Sequence, residues 1–253
     1  MNDTLDYFES SFEERPSLHN LLTFPIAYAY SANYALPLSH DEVVHGKKSL
    51  LDKMPGTYEQ KFAGLRILLG YQMTHPGKKL LFMGGEFGQF IEWKDQEQLD
   101  WMLLDYESHR TMQKYTADLN QLYLEEKALW ELDHEIEGYQ WICPNDYLQS
   151  IISYIRRGKK TGDTLIVVIN FLPVTRENYR IGVPRAGTYV PVFNSADPVY
   201  SGSNETENIV TAQSTNKIPW HDQKQSIEFT LPGLSMVIFK KETKRTKRTE
   251  GGN

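Results

Sequence analysis

HPGKKLLFMGGEFGQ, residues 75–89, holds a helix stop, a short apolar strand and a glycine turn in one run. His75-Pro76-Gly77 ends any helix before it, because proline lacks the amide hydrogen and glycine favours turns. KLLFM at 79–83 suits a buried parallel strand. Gly84-Gly85 then lets the backbone turn tightly. Upstream, residues 57–75 (TYEQKFAGLRILLGYQMTH) read as a long amphipathic helix, with Phe62, Leu65, Leu68 and Leu69 on one face. Thr57 is its expected N-cap, with Gln60 three residues on. YALPL at 34–38 is a second short buried strand, and LLTFPIAYAYS at 21–31 a helix that tolerates Pro25 only in its first turn. Downstream, residues 108–124 read as another long helix capped by Ser108. Strand–helix alternation is the pattern of parallel α/β architecture. Two such units cannot close a barrel.

The pattern changes near residue 130. Segments 147–156, 164–171, 177–183, 187–193, 225–231 and 234–240 are short and apolar or alternating, punctuated by Gly, Pro, Asn and Asp. That is the pattern of an antiparallel β-sandwich. Residues 195–222 are polar and read as a surface loop, and 241–253 as a charged, frayed tail. The expected organisation is therefore an α/β part at 1–130, an all-β domain at 137–240 and the tail at 241–253.

The chain has 253 residues with 27 basic and 33 acidic side chains, a net charge of −6. That balance argues against a nucleic-acid or membrane-surface role. Cys143 is the single cysteine, so an internal disulfide is excluded and a reducing, cytoplasmic setting is expected. The N-terminus is acidic, unlike a signal peptide. No run approaches the roughly 20 apolar residues that span a bilayer. Aromatic residues make up 12%, including fifteen Tyr and five Trp, which fits both sugar stacking and a β-rich core.

Two clusters follow the two strands directly: SHDEVVHGKK at 39–48 and GGEFGQ at 84–89. In parallel α/β folds the loops at the C-terminal strand ends converge on the functional face. Glycosyl transfer through an oxocarbenium-like transition state needs carboxylates, and Asp41 and Glu86 are the candidates. His40 and His45 suit hydrogen bonds to sugar hydroxyls. Lys47 and Lys48 lack the glycine cradle of a phosphate loop. His40 and His45 are separated by four residues in a loop, which is weak zinc spacing. From residue types alone, Asp41 and Glu86 could be an acid–nucleophile pair or solvated charges.

LPLSHDEVVHGKKSLLDKMPG (36–56) and HPGKKLLFMGGEFGQFIEW (75–93) resemble the segments around barrel strands seven and eight of glycogen (1,4-α-glucan) branching enzymes, members of the α-amylase superfamily. LDWMLLDY (99–106), LNQLY (119–123) and the opening MNDTL continue the resemblance. The length of the first run separates it from debranching and trehalose-forming relatives. The resemblance implies the last two strand–helix units of a (β/α)₈ TIM barrel followed by a C-terminal antiparallel β-sandwich. It implies a retaining enzyme of glycogen biosynthesis that moves an α-1,4-glucan segment to a 6-hydroxyl, forming α-1,6 branches without a cofactor or metal. By the same resemblance Asp41 is the transition-state stabiliser and His40 binds substrate beside it, while Glu86 lies in the strand-eight segment either as a substrate-binding residue of the rim or as structural support.

The resemblance also places a nucleophile Asp and an acid/base Glu on barrel strands that come before this sequence, and no matching run occurs in it. The chain is therefore expected to be inactive alone and to pair with the preceding part of such an enzyme. The alternative is a non-catalytic glucan-binding module on 137–240, using Tyr139, Trp141 and Trp220. On either reading, 137–240 is expected to fold independently and 1–124 to be poorly ordered in isolation.

Overall fold

The computed structural model describes residues 1–202, 209 and 211–242. The expected tail therefore lies, beyond Glu242, outside the described residues, as does part of the polar 195–222 segment. In the first half, helices α1 (Asn2–Glu9) and α2 (Asn20–Thr23) precede strand β1 (Ala35–Leu38). Then follow α3 (Leu50–Lys53), α4 (Tyr58–Thr74), β2 (Lys78–Leu81) and α5 (Glu107–Glu125). The second half is all strand: β3 (Tyr139–Asp146), β4 (Ile151–Arg157), β5 (Thr164–Asn170), β6 (Arg176–Val183), β7 (Thr188–Asn194), β8 (Ala212–Gln213), β9 (Gln225–Leu231) and β10 (Ser235–Lys241).

Thr57 caps α4 with a reciprocal capping box to Gln60, as its sequence predicts, and His75 follows the last turn in extended backbone. Three local expectations shift. The 21–31 helix is only α2, passing into a 3₁₀ turn at Phe24–Ala27 around Pro25, which cannot donate to a preceding carbonyl. Helix α5 starts before Ser108, which makes no cap. The strand expected from residue 147 begins at Ile151, after a 3₁₀ turn at Tyr147–Gln149, and β3 adds a strand that pattern reading passes over. β3 carries Pro144 and slips register twice against β4. Such irregularity is tolerated because β3 is an edge strand, where a missing ladder donor costs little.

β1 and β2 pair in parallel, Leu38 opposite Leu81, with α3 and α4 in the connection. β3-β4-β5-β10-β7-β8 form an antiparallel sheet, and β6-β9 a second pair. Alternate residues of β4, β5 and β10 enter different cores. Ile155, Ile166, Val168, Val237 and Phe239 pack with Ile181, Ile227 and Phe229 of β6 and β9. Ile152, Tyr154, Val167, Ile169, Met236 and Ile238 pack with Leu68, Tyr71, Met112, Tyr115 and Leu119 of the helices. A strand presents alternate side chains to opposite faces. Both faces of this sheet are covered, which explains why 151–155 and 165–169 are almost unbroken apolar runs.

Polar groups lock the same interface. Arg15 is fully buried, donates to the carbonyls of Phe8 and Phe171, and lies against the rings of Tyr7, Phe8 and Phe12. Tyr7 and Phe8 meet Phe171 edge-on at 5.3 and 5.6 Å. Arg66 of α4 donates to the Tyr200 carbonyl at 3.1 Å, and the Tyr115 hydroxyl to the Arg66 carbonyl at 2.7 Å. Among the described residues no helix is long and apolar enough to cross a membrane.

His75 makes the fold sensitive to acid. Burial pushes its imidazole down to about 3, with Lys79 and Arg156 adding to the effect and the Pro76 carbonyl opposing it. An unfolded chain protonates the same ring near pH 6.5. Between these values the unfolded state binds more protons, so stability falls as pH drops from about 6.5 towards 3. This group contributes a slope of up to about 1.4 kcal/mol per pH unit. Urea midpoints at pH 7 and pH 4.5 check it, with a His75→Gln variant expected to show the shallower pH dependence. Equal dependence in both proteins would refute the assignment.

Candidate functional site at the strand ends

Because β1 and β2 run parallel and in register, the segments after Leu38 and Leu81 emerge side by side. The Phe82 amide extends the ladder to the Leu38 carbonyl at 2.8 Å. Ser39 then caps a one-turn 3₁₀ helix, His40–Glu42, by accepting from the Asp41 amide. The Glu42 carboxylate accepts from the Ser39 amide at 2.6 Å and its hydroxyl at 2.7 Å. This box sets the direction in which His40 and Asp41 leave the strand.

His40 Nε2 lies 3.3 Å from Asp41 Oδ1, and both side chains remain exposed, 53% and 73%. The His40 ring meets Trp93 edge-on at 6.0 Å and Phe82 at 5.9 Å, and those two rings meet edge-on at 5.1 Å. The Asp41 carbonyl accepts from Lys47 Nζ at 2.8 Å. The carboxylate itself has His40 as its one partner among the described residues, so most of its acceptor capacity faces outward.

Glu86 sits in a 3₁₀ turn at Gly85–Phe87, between Gly84 and Gly88. Gly84 has φ +88°, a conformation that a side chain would strain. The turn docks on α5, where Thr116 Oγ1 donates to the Glu86 carbonyl at 2.9 Å. No hydrogen bond or ion pair joins the Glu86 carboxylate to His40 or Asp41 among the described residues. The small pocket between the strand ends is apolar, lined by Leu38, Val43, Phe82, Gly84 and Trp93, and none of the three candidates lines it.

The two clusters are stitched together by a residue that motif reading did not single out. Glu92 accepts from the Lys48 amide at 2.7 Å and stands 3.5 Å from His45 Nδ1. Amide donors of Lys48 and Gly46 hold its carboxyl below the usual range. Ser49 Oγ donates to the Phe90 carbonyl at 3.0 Å, and the Trp93 amide to Val43 at 2.9 Å. Glu92 lies within the quoted 75–93 run, but nothing in its spacing indicates a partner 44 positions away. Among the described residues no group of three His, Cys, Asp or Glu side chains is placed to hold a metal ion.

An exposed carboxylate steered by a neighbouring imidazole can hydrogen-bond sugar hydroxyls and stabilise positive charge. Alone it cannot serve as both acid and nucleophile, which glycosyl transfer requires.

Comparison with known proteins extends this. Residues 141–242 match the family described as alpha amylase, C-terminal all-beta domain. A 1,4-alpha-glucan branching enzyme GlgB of Halothermothrix orenii is 55% identical over 240 residues, covering 95% of this chain and 38% of that protein. Its counterpart in Bacillus cereus strain AH820 is 52% identical over 253 residues, covering 99% of the chain and 39% of that protein. The chain is similar to branching enzymes along nearly its whole length. That bears out the resemblance carried by residues 36–56 and 75–93. The chain spans less than two fifths of these branching enzymes. The fold is shared more widely. AmyP, solved in complex with maltose, superposes with a TM-score of 0.63 at 13% identity, covering 95% of this chain and 48% of that one. A Nostoc punctiforme debranching enzyme superposes with a TM-score of 0.52 at 16% identity, over 78% of this chain and 34% of that one.

Proposed function

We propose that this chain forms part of a 1,4-α-glucan branching enzyme, with β1, α4, β2 and α5 as the last two strand–helix units of its barrel. The supporting observation is the match to branching enzymes over 95–99% of the chain. Leu80 of β2 and nearby Met83 are 45% and 51% exposed, as are Phe24, Tyr28 and Tyr34 at 41–60%. Such apolar exposure at the edge of a two-stranded sheet suits cover by further barrel strands. Asp41 stabilises the oxocarbenium-like transition state by holding hydroxyls of the sugar being cleaved. His40 orients Asp41 and shares those hydroxyls, and Glu86 supports the substrate rim from a turn fixed on α5. The nucleophile and the acid/base come from the preceding part of the enzyme.

A chimera tests this, with the chain replacing the matching stretch of the Halothermothrix orenii enzyme. It should form α-1,6 branches on amylose, measured by analysis of debranched products. Asp41→Asn in the chimera should lower the rate by about 10²-fold or more, the scale for losing one transition-state contact. The 253-residue chain alone should show no branching above background. A folded chimera without activity, or full activity in the Asp41→Asn chimera, would sink the proposal.

A glucan-binding role for the β-domain also has partial support. Tyr139 is buried, and Trp141 is half-buried with its ring packed against the core. Trp220 is 46% exposed.

A further inference from the structure

Trp220 stands at one wall of an open cleft far along the chain from the strand-end site. The cleft lies between the end of β3 with its following turn, and β6; its lining includes Asn145, Asp146, Gln149, Arg176, Asn178 and Trp220. The lining carries three side-chain amides, the carboxylates of Asp146 and Glu177, the guanidinium groups of Arg176 and Arg180, and an exposed indole.

The geometry is prepared. Trp220 begins a tight hairpin turn, exchanging backbone hydrogen bonds with Gln223 at 3.1 and 2.9 Å. The two central residues, His221 and Asp222, both take the left-handed conformation, with φ of 47° and 57°. That turn type normally selects Asn-Gly, so two bulkier residues are kept there at a conformational cost. The turn is seated on Gly182, where a β-carbon would come within 2.2 Å of the Trp220 carbonyl. The His221 ring lies 5.8 Å from the indole, tilted by 53°. The indole is thus held out while its own backbone is clamped.

Across the cleft, Asp146 is aimed by two donors, the Tyr179 hydroxyl at 2.8 Å and Gln149 Nε2 at 3.0 Å. A carboxylate has about four acceptor positions, so it retains capacity for a ligand. Arg176 lines the same wall, and its buried Nε has no hydrogen-bond partner among the described residues. Arg180, by contrast, is paired with Glu228. With Arg180 neutralised, Asp146 and Glu177 outweigh Arg176, which disfavours polyanions.

We propose that this cleft is a second, non-catalytic binding site for a linear neutral α-glucan. A glucose unit stacks its apolar face on Trp220, and its hydroxyls are held by Asp146, Gln149, Asn178 and Arg176. A rigid aromatic face with a few convergent polar groups is the general make-up of a small-ligand site. The choice of glucan rests on the proposed function; the cleft itself does not.

Affinity electrophoresis of the chain in native gels containing glycogen tests the site. Wild type should be retarded, and Trp220→Ala should bind roughly tenfold more weakly, about 1.4 kcal/mol, with an unchanged melting temperature. Gln149→Ala, which frees Asp146 to swing, should also weaken binding. Dextran sulfate, an anionic glucan, should retard the chain less than glycogen does. Unretarded wild type, equal retardation of wild type and Trp220→Ala, or stronger retardation by dextran sulfate would each overturn the inference. The two proposals fail separately. Trp220-dependent binding with an inactive chimera defeats only the branching assignment. An active chimera with Trp220-independent binding defeats only this site.

Discussion

A polypeptide starting at residue 131 is expected to lose cooperative folding, although its own pattern is that of a complete β-sandwich. The reason is the second face of the central sheet. Ile152, Tyr154, Val167, Ile169, Phe171, Met236 and Ile238 are all buried at 0–1% exposure, within a core shared with α1, α4 and α5. Burying one such side chain contributes about 1.5–3 kcal/mol. Exposing even half of that group removes a quantity comparable to the whole stability of an ordinary domain, about 5–15 kcal/mol. The deletion also strips Arg15 from the Phe171 carbonyl and Thr74 from its contact with the Tyr154 hydroxyl at 2.6 Å. Circular dichroism melting should show a broad transition with dye-accessible apolar surface, against a sharp one for the full chain. A sharp melt within a few degrees of the full chain would restore the expectation that 137–240 folds independently.

The second large effect is expected at Asp133. Its carboxylate is 2% exposed and accepts from fully buried Arg156 at 2.8 Å. Burial would raise the Asp133 carboxyl, but Lys79, Arg156 and Lys78 outweigh it and hold the group below its usual range. Arg156 also donates to the carbonyls of Thr74, Leu129 and Gly138, so one guanidinium ties together the end of α4, the connecting segment and β4. Asp133→Ala leaves that cation buried without a counter-charge, which costs about 3–5 kcal/mol. Adding Arg156→Met removes the orphaned charge and should recover part of the loss. Recovery should be incomplete, because three carbonyls then lose their donor. Urea unfolding measures both variants. A loss below about 1 kcal/mol for Asp133→Ala would show that water reaches the pair.

The candidate-site segments are legible for a local reason. Thr57 with Gln60, and the apolar run 79–83 followed by Gly84-Gly85, place a helix start and a strand end to within a residue or two, because capping and turn chemistry act over three or four positions. His40, Asp41 and Glu86 were legible because each follows a strand directly. Their grouping was only partly so. The structure fixes His40 beside Asp41, while Glu86 is held towards α5 by a bond from Thr116, 30 positions on. Glu92 was invisible as a clamp because its partners lie on the other post-strand segment.

The sequence by itself determined which faces are apolar and where most helices and strands begin and end, because side-chain period and short-range hydrogen bonding set those properties. The likeness to branching enzymes rests instead on particular residue runs, 36–56 and 75–93. Only the tertiary structure decided that the six-stranded sheet is covered on both faces, that Tyr139 is core and Trp141 half-buried against it while Trp220 is presented, and that Arg15 and Arg156 are internal fasteners. Those outcomes depend on partners more than a hundred positions apart, such as Arg15 with Phe171, or on how far a neighbouring layer reaches across a face. An apolar stripe requires burial, but it does not name the surface that buries it.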